Sequence, residues 1–175
     1  MVKDLDYLFK RLNDISEAVN CLKKCLQAMQ AEQEKVEPKE IKELKKRLKK
    51  HEGLKLFPYR CPTGHLTIGY GHNLEAKGIT PDVAEILLEK DMQDAFYDLK
   101  KLPEESWEHL NLRRQCVLVE MIFNMGVTKV LRFKHMLKAL AEKDYKRAAK
   151  EMLDSRWAEQ VGERAKTLAK IMEEG

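Results

Sequence analysis

Residues 51–74 read HEGLKLFPYRCPTGHLTIGYGHNL, and they decide the fold because the sequence pattern changes within them. Before this stretch the apolar residues recur at helical spacing, and Gly53 supplies the residue type that most readily adopts the left-handed conformation at a helix end. Two short strand-like segments, 56–59 and 66–70, then flank a Pro-Thr-Gly turn. The sequence therefore predicts a helix that ends near Glu52 and a β-hairpin that follows it directly.

Glu52 carries the candidate chemistry of this stretch. A helix end beside a small sheet can hold side chains a few ångströms apart, which suits a cleft that contains an acid. A solvated glutamate beside a helix cap fits the same spacing, and a local structure alone does not assign a function. The residues by themselves leave both interpretations open.

The run EGLKLFPYRCPTGHLTIGYGH resembles the catalytic segment of the phage lysozymes, a family of muramidases. The family pattern is Glu, eight residues, Asp, five residues and Thr, and it falls here on Glu52, Cys61 and Thr67. The second position departs from the family, because a thiol replaces the carboxylate. Further matches follow in the family's order: NMG at 124–126, SRW at 155–157 and RA at 164–165. The resemblance covers roughly residues 39–172.

The resemblance implies a lysozyme-like α+β fold, mainly helical with a small β-hairpin lobe, in a catalytic domain at residues 38–175. The family's insert after the hairpin is missing, so we expect a shorter small lobe. Glu37-Pro38 marks the start of this domain, since proline suits the first turn of a helix and restricts the residue before it.

Residues 1–37 are expected to form a separate long helix of the coiled-coil type. Their apolar side chains recur at alternating steps of three and four residues, which is a heptad seam. They are Leu5, Leu8, Leu12, Ile15, Val19, Leu22, Leu26 and Met29. We expect the seam to self-associate through residues 5–29, and packing on the catalytic domain of the same chain is the alternative.

A second helix start stands at Thr80 and Pro81, where threonine suits the N-cap and proline the first helical position. We expect this helix to run to about Leu99. Its apolar residues are expected to share one buried face. They are Val83, Ile86, Leu87, Phe96 and Leu99.

Residues 113–125 form the most apolar helical segment, so we expect them at the centre of the larger lobe, with Gly126 ending the helix. Cys116 lies within this segment and is expected in the core. Shorter amphipathic helices fill the remaining sequence. The turns between them are expected near residues 143–144, 154–155 and 162.

The formal net charge of +4 is concentrated in one place. Residues 39–50 contain seven basic side chains against Glu40 and Glu43. Nucleic acid is not expected as a partner, because no nucleic-acid-binding motif accompanies these lysines and aromatic residues are not interleaved with them. The run is either a solvated helix face or a source of attraction to an anionic cell wall, an attraction that salt would screen.

The four cysteines do not form a disulfide scaffold in a chain of 175 residues and fit a reduced cytosolic origin. Cys21 and Cys25 share a helical face without further ligands, so neither a metal nor a cofactor is expected. No apolar run approaches the roughly 20 residues that span a bilayer, and charges interrupt the N-terminus where a signal peptide would be apolar. We expect a protein made in the cytoplasm of a bacterial host that reaches the wall through a holin or another route.

The resemblance implies hydrolysis of the β-1,4 bond between N-acetylmuramic acid and N-acetylglucosamine in peptidoglycan, and so a bacteriolytic endolysin. Cleavage needs a protonated carboxyl for the leaving oxygen, a role that falls on Glu52. Cys61 is a base or a nucleophile if Arg60 or His65 lowers its pKa, and a bystander if it stays neutral. Thr67 either holds a water through its hydroxyl or is simply a strand residue.

Three further residues are candidates for the site, and two of them, Asn124 and Arg164, match family positions. Asn124 either binds an acetamido group of the substrate or caps its helix. Arg164 is expected near the catalytic acid, with a surface arginine as the alternative. His72, in the GYGH motif, is expected to form structural hydrogen bonds rather than take part in catalysis.

Two other kinds of protein fit the same residues. One is a glycan-binding module that kept the groove but lost turnover with the missing aspartate. The other is an assembly protein whose coiled coil matters more than its cleft. Glu52 and Thr67 favour an active enzyme over both.

Overall fold

The computed structural model describes residues 23–24 and 37–175. They belong to two units, one that ends at Gly78 and one that spans Ile79–Gly175. The apolar positions of the predicted seam, and the self-association predicted from them, lie outside the described residues. The described part of the chain is mainly helical with one small antiparallel sheet, which confirms the predicted α+β class.

Between residues 37 and 78, the first unit holds one longer helix, three strands and one short helix. These are α1 (Lys39–Glu52), β1 (Lys55–Arg60), β2 (Leu66–Gly69), β3 (His72–Asn73) and α2 (Leu74–Lys77). The helix end is as predicted, because Gly53 follows α1 with a φ of +66° and donates its N–H to the Lys49 carbonyl at 3.2 Å. The three strands form an antiparallel sheet in chain order.

The predicted hairpin between β1 and β2 is confirmed. In the turn, the Cys61 N–H donates to the His65 carbonyl at 3.0 Å and the Gly64 N–H donates to the Cys61 carbonyl at 2.8 Å. Gly64 has a φ of +87°, a conformation that other residues rarely adopt. The sequence did not predict β3, because a strand of two residues is too short to show an alternating pattern.

The second unit consists of helices joined by short turns. They are α3 (Pro81–Leu99), a 3₁₀ turn (Glu104–Ser106), α4 (Leu112–Met125), α5 (Val127–Val130), α6 (Lys134–Ala141), α7 (Tyr145–Leu153), α8 (Arg156–Val161) and α9 (Glu163–Glu174). Their boundaries follow the predicted signals. Asp144 caps α7 through the Arg147 N–H at 3.0 Å, and Ser155 caps α8 through the Ala158 N–H at 3.1 Å.

The start of α3 differs in detail from the prediction. Thr80 occupies the N-cap position, but its side chain does not cap a backbone N–H. The Thr80 side chain, through its hydrogen-bonding effect on the carboxylate, is instead the main cause that lowers the pKa of Asp82. Pro81 stands at the first helical position as predicted.

The centre of the second unit is α4, as predicted. Its buried residues are Val117, Leu118, Val119, Met121 and Ile122. Helices α3, α5 and α9 pack directly on it. Gly126 follows α4 with a φ of +82°, which confirms the predicted helix end.

Two burial predictions were wrong. In α3 only Leu99 of the five predicted core residues is buried, and Ile86 is 57% exposed. The reason is that α3 enters the core of its unit only at its C-terminal end, through Ala95 and Leu99. Cys116 is exposed because it lies on the face of α4 that also carries the exposed Phe123, seven residues further on.

No helix in the described part of the chain is both long enough and apolar enough to cross a membrane.

Candidate functional site

Glu52 is the last residue of α1, and its side chain lies against the turn between β2 and β3. The contact is close: a Cβ atom built on Gly71 would stand 3.1 Å from Glu52 Oε2. Gly71 also has a φ of +78°, which favours glycine. The lack of a side chain at Gly71 therefore lets the carboxylate rest on the backbone of the turn.

A groove of about 590 Å³ borders Glu52 within the first unit. One wall is the apolar face of α1, formed by Ile41, Leu44 and Leu48, and the other is the turn at Tyr70 and Gly71. Its size is within the range of small-ligand pockets. The groove places an acid at the edge of an apolar surface that a sugar ring can cover.

Lysine side chains flank the same groove. Lys45 and Lys49 line it, and the Lys49 ammonium lies 5.7 Å from the centroid of the Tyr70 ring, a cation–π distance. The contact joins α1 to the turn that supports Glu52. The positive charge predicted from the lysine run therefore lies beside the candidate acid.

Cys61 directly follows β1 and is half-buried. Its Sγ lies 3.0 Å from the Thr63 hydroxyl oxygen. That hydroxyl bond is the largest cause that lowers the pKa of Cys61 to about 7, with smaller contributions from the Thr63 backbone and the Thr67 hydroxyl and an opposing effect of desolvation. A substantial fraction of the thiol is therefore ionised at neutral pH.

The cations suggested by the sequence do not lower this pKa through their side chains. Arg60 Nη1 donates to the Gly64 carbonyl at 2.7 Å and lies 3.4 Å from Glu75 Oε1. His65 Nδ1 lies 3.2 Å from Glu75 Oε2, and His65 acts on Cys61 only through its backbone. Glu75 is thus the partner of both side chains, and the His65 hydrogen bond is the main cause that lowers the pKa of Glu75.

Thr67 is the buried polar residue of β2, with 4% of its surface exposed. Its hydroxyl donates to the His65 carbonyl at 3.1 Å. A hydroxyl that has donated its proton keeps its lone pairs, so Thr67 can accept a hydrogen bond from a water molecule.

The structure places Glu52, Cys61 and Thr67 in the first unit, around one sheet. Glu52 lies at the turn between β2 and β3, Cys61 at the turn between β1 and β2, and Thr67 on the strand that joins the two turns. The two turns stand at opposite ends of β2, so the acid lies near one end of this strand and the thiol near the other, with the Thr67 hydroxyl on the strand itself.

His72 forms a hydrogen bond within the same unit. Its Nε2 lies 2.6 Å from the Gly78 carbonyl, and Asn73 caps α2 through the Ala76 N–H at 3.0 Å. The two contacts connect β3 to the segment that follows it. In the described structure His72 thus fixes the backbone of the unit.

The family-matching motifs of the second unit contact one another. Asn124 Oδ1, from the NMG motif, accepts a hydrogen bond from Trp157 Nε1, from the SRW motif, at 2.8 Å. The bond fixes the orientation of the amide. Because its oxygen is engaged by Trp157, the N–H groups of Asn124 are the ones that can donate to a ligand.

Arg164 has a partner inside its own unit. Its Nε donates to Glu120 Oε1 at 2.8 Å, which joins α9 to α4. Glu120 was not among the residues predicted from the sequence, although it is the one charged residue between Arg114 and Lys129. That isolated charge was the sequence signal that could have identified Glu120 as the partner of a basic residue. Among the described residues, no cluster of three or more His, Cys, Asp or Glu side chains suits a metal ion.

The contact between Thr63 and Cys61 gives a testable prediction. Replacing Thr63 with Ala removes the hydroxyl bond to the sulfur, so the pKa of Cys61 should rise from about 7 toward the ordinary value of a thiol. Alkylation by iodoacetamide requires the thiolate, so its pH midpoint should rise as well. Mass spectrometry of the Cys61 peptide measures that midpoint separately from the other cysteines. Thr63→Ser keeps the hydroxyl and should leave the midpoint in place, whereas an unchanged midpoint in Thr63→Ala would exclude Thr63 as the cause.

A model of the phage lysozyme family matches residues 49–173. Among curated relatives, "Probable T4-type lysozyme 1" of Dictyostelium discoideum is 33% identical over 156 residues, covering 73% of this chain and 92% of the relative. The "Endolysin" of Acyrthosiphon pisum secondary endosymbiont phage 1 is 32% identical over 112 residues, covering 61% of this chain and 72% of the relative.

A third relative is a much longer protein. The "Pre-baseplate central spike protein Gp5" of Enterobacteria phage T4 is 32% identical over 152 residues, which are 71% of this chain but only 26% of Gp5. The matched range of the family model contains Glu52, Cys61, Thr67 and the second-unit motifs. The chain belongs to the phage lysozyme family.

Proposed function

We propose that this protein is a peptidoglycan hydrolase of the lysozyme type, which cleaves the β-1,4 bond between N-acetylmuramic acid and N-acetylglucosamine. The observation that carries the proposal is the placement of Glu52, at the end of α1, against Gly71 and beside the groove. Membership of the phage lysozyme family supports a glycosidase activity of this kind.

Glu52 is the proposed general acid. It must be protonated when it meets the leaving oxygen, and exclusion of water favours the neutral form of a carboxyl group. A sugar ring that covers the apolar wall of Ile41, Leu44 and Leu48 would exclude water from the carboxyl. Substrate binding itself thus prepares the acid, which gives its proton to the leaving oxygen as the glycosidic bond breaks.

Cys61 has two possible active roles and one inactive one. As a base, its thiolate takes a proton from a water held at Thr67, and the water oxygen attacks the anomeric carbon. As a nucleophile, the sulfur bonds that carbon and water later releases the sugar. A pKa of about 7 supports both active roles, because the thiolate is present near neutral pH. As a bystander, Cys61 leaves the chemistry to Glu52 and the water.

Two second-unit residues complete the proposal. Asn124 would donate its amide N–H groups to an acetamido carbonyl of the substrate, and the bond from Trp157 holds the amide in position for this. The pairing of Arg164 with the catalytic acid stays a prediction, beside its contact with Glu120.

The proposed setting is bacterial lysis. The protein would be made in the cytoplasm of the bacterial host, cross the membrane through a holin or another route, and act on the peptidoglycan of the wall. Self-association through residues 5–29 belongs to the same proposal.

The first test of the activity replaces Glu52 with Gln. Glutamine is nearly isosteric but cannot donate the proton, so clearing of isolated peptidoglycan, followed by turbidity, should be abolished while the protein stays folded. Glu43→Gln changes another exposed glutamate of α1 and should clear at the wild-type rate. Activity of more than a few per cent in Glu52→Gln would reject Glu52 as the acid.

A second test uses two glycines of the same turn. Gly69 and Gly71 have φ values of +68° and +78°, so alanine is strained at both. Only at Gly71 would the new Cβ press on Glu52, because nothing lies within 4 Å of one at Gly69. We expect Gly71→Ala to lower the clearing rate well below that of Gly69→Ala at similar thermal stability. Equal rates would show that the contact does not position Glu52.

The third test concerns Cys61. If the thiolate acts, Cys61→Ser should lower the rate by about a hundredfold and Cys61→Asp should retain activity. If Cys61 is a bystander, Cys61→Ser should clear at nearly the wild-type rate. Cys116→Ser, at the other described thiol, is the matched control and should have no effect. The anomeric configuration of the product separates the two active roles, since a nucleophile gives retention and a base gives inversion.

Similarity to part of Gp5, whose name describes a pre-baseplate spike, favours a second candidate function as an assembly protein. A glycan-binding module without turnover is the remaining alternative. Wild-type protein that sediments with isolated peptidoglycan but does not clear it would identify a binding module. Protein that neither clears nor sediments with peptidoglycan would favour the assembly function.

A further inference from the structure

A second groove lies in the second unit, between α7 and α9. Its volume is about 580 Å³, close to that of the groove beside Glu52. Both of its walls are helices that pack against each other, so the groove is a surface feature formed by helices and not a gap between loops. None of the catalytic candidates lines it.

The walls of this groove are strongly basic. Lys146 and Lys150 stand one helical turn apart on α7, and Lys166 and Lys170 stand one turn apart on α9. Arg147 lines it too, but it already pairs with Glu142 and Asp144. Asp144 and Glu173 are the carboxylates of the lining. Positive charge therefore exceeds negative charge in the groove.

Ion pairs within the protein occupy these lysines little, so their ammonium groups are available to bind an anion. Among the ion pairs of the described residues, none includes Lys146 or Lys150. Lys166 and Lys170 pair with Glu163 and Glu174 at the surface, where their side chains are 68% and 72% exposed. Exposed pairs of this kind are weak and readily exchanged for another anion.

Helix stability accounts in part for the lysines of α9, because Lys166 and Lys170 pair with Glu163 and Glu174 of the same helix, but it does not account for those of α7. Like charges four residues apart on a helix repel each other, and each wall carries such a pair. Lys146 also lies in the first turn of α7, where the helix dipole disfavours a cation, and the carboxylate of the N-cap residue Asp144 offsets this only in part. An anion bound between the two rows would relieve both sources of repulsion.

The shape of the groove indicates which anion fits. Two rows of lysines, each with side chains about 6 Å apart along its helix, suit a chain of anionic groups better than one small ion. The floor between the rows carries Ala149, Leu153 and Ala169, which suit short aliphatic segments. Alternating phosphates and short carbon segments are the repeat of a polyol phosphate chain.

Two other anionic partners fit less well. No aromatic residue lines the groove, so it lacks the stacking surfaces that bind single-stranded nucleic acid. Leu153, 44% exposed, is its one large aliphatic side chain, too little apolar surface to insert into a lipid bilayer.

We propose that the groove between α7 and α9 binds a linear polyol phosphate chain of the bacterial envelope. The phosphates lie on the four lysines, and the carbon segments lie over Ala149 and Leu153. Binding requires neither Glu52 nor hydrolysis. For an enzyme of the wall, it adds a second attachment to the envelope.

The test titrates the full chain with a synthetic glycerol phosphate oligomer by calorimetry at several salt concentrations. Replacing Lys150 and Lys166 together with Gln should lower the affinity by about tenfold or more at low salt, and should reduce the slope of log K against log salt by about 1.4, given roughly 0.7 per lost phosphate contact. The matched control replaces Lys90 and Lys129, two exposed lysines of α3 and α5, with Gln in the same way. It should change the affinity for the oligomer by less than about twofold. Amide NMR shifts should map to α7 and α9.

Several outcomes would overturn the proposal. The first is an unchanged affinity when Lys150 and Lys166 are replaced. The second is inorganic phosphate that binds as tightly as the oligomer. The third is single-stranded DNA of equal charge, or anionic lipid vesicles, that bind more tightly than the oligomer. Glu52→Gln should bind the oligomer like the wild type. Binding by a wild-type protein that clears no peptidoglycan would therefore reject the proposed function and leave this inference standing.

Discussion

The burial of one face of α4 is the constraint on which the second unit depends. Leu118 and Met121 are fully buried, and the helices around them supply the rest of the apolar core. Arg114, near the start of α4, ties this centre to the end of the chain: its Nε donates to the Met172 carbonyl at 2.8 Å, and its guanidinium lies 3.7 Å from the centroid of the Tyr145 ring. One helix thus holds both α7 and α9, the walls of the basic groove.

The first unit is built differently. None of its described apolar residues is buried, and the buried residue there is the polar Thr67. Hydrogen bonds of the turns, the ladder of the small sheet and the contact of Glu52 with Gly71 define its described structure. Because so little apolar surface is buried around them, the candidate catalytic groups depend on local backbone geometry. Glycines at the turns are therefore as important to this site as its reactive side chains.

Positive charge is distributed in a way that fits an anionic target. It lies on α1 beside the groove at Glu52 and again between α7 and α9, while the whole chain carries only +4. Clustered charges of this kind attract a polyanionic surface over distances of about 8–10 Å at moderate salt. The net charge of the whole chain does not show that positive charge is clustered in these two places.

The sequence by itself determined the features that depend on neighbouring residues. Gly53 ends a helix because its conformation is local, and the spacing from Glu52 to Thr67 carries the family pattern. The tertiary structure decided which surfaces are covered and which groups meet. It left Cys116 exposed, and it gave Arg164 a partner in Glu120, 44 residues away in the chain. Hydrophobic periodicity shows which residues share a helix face, but whether that face is buried, and which charges meet across it, depends on how distant segments pack.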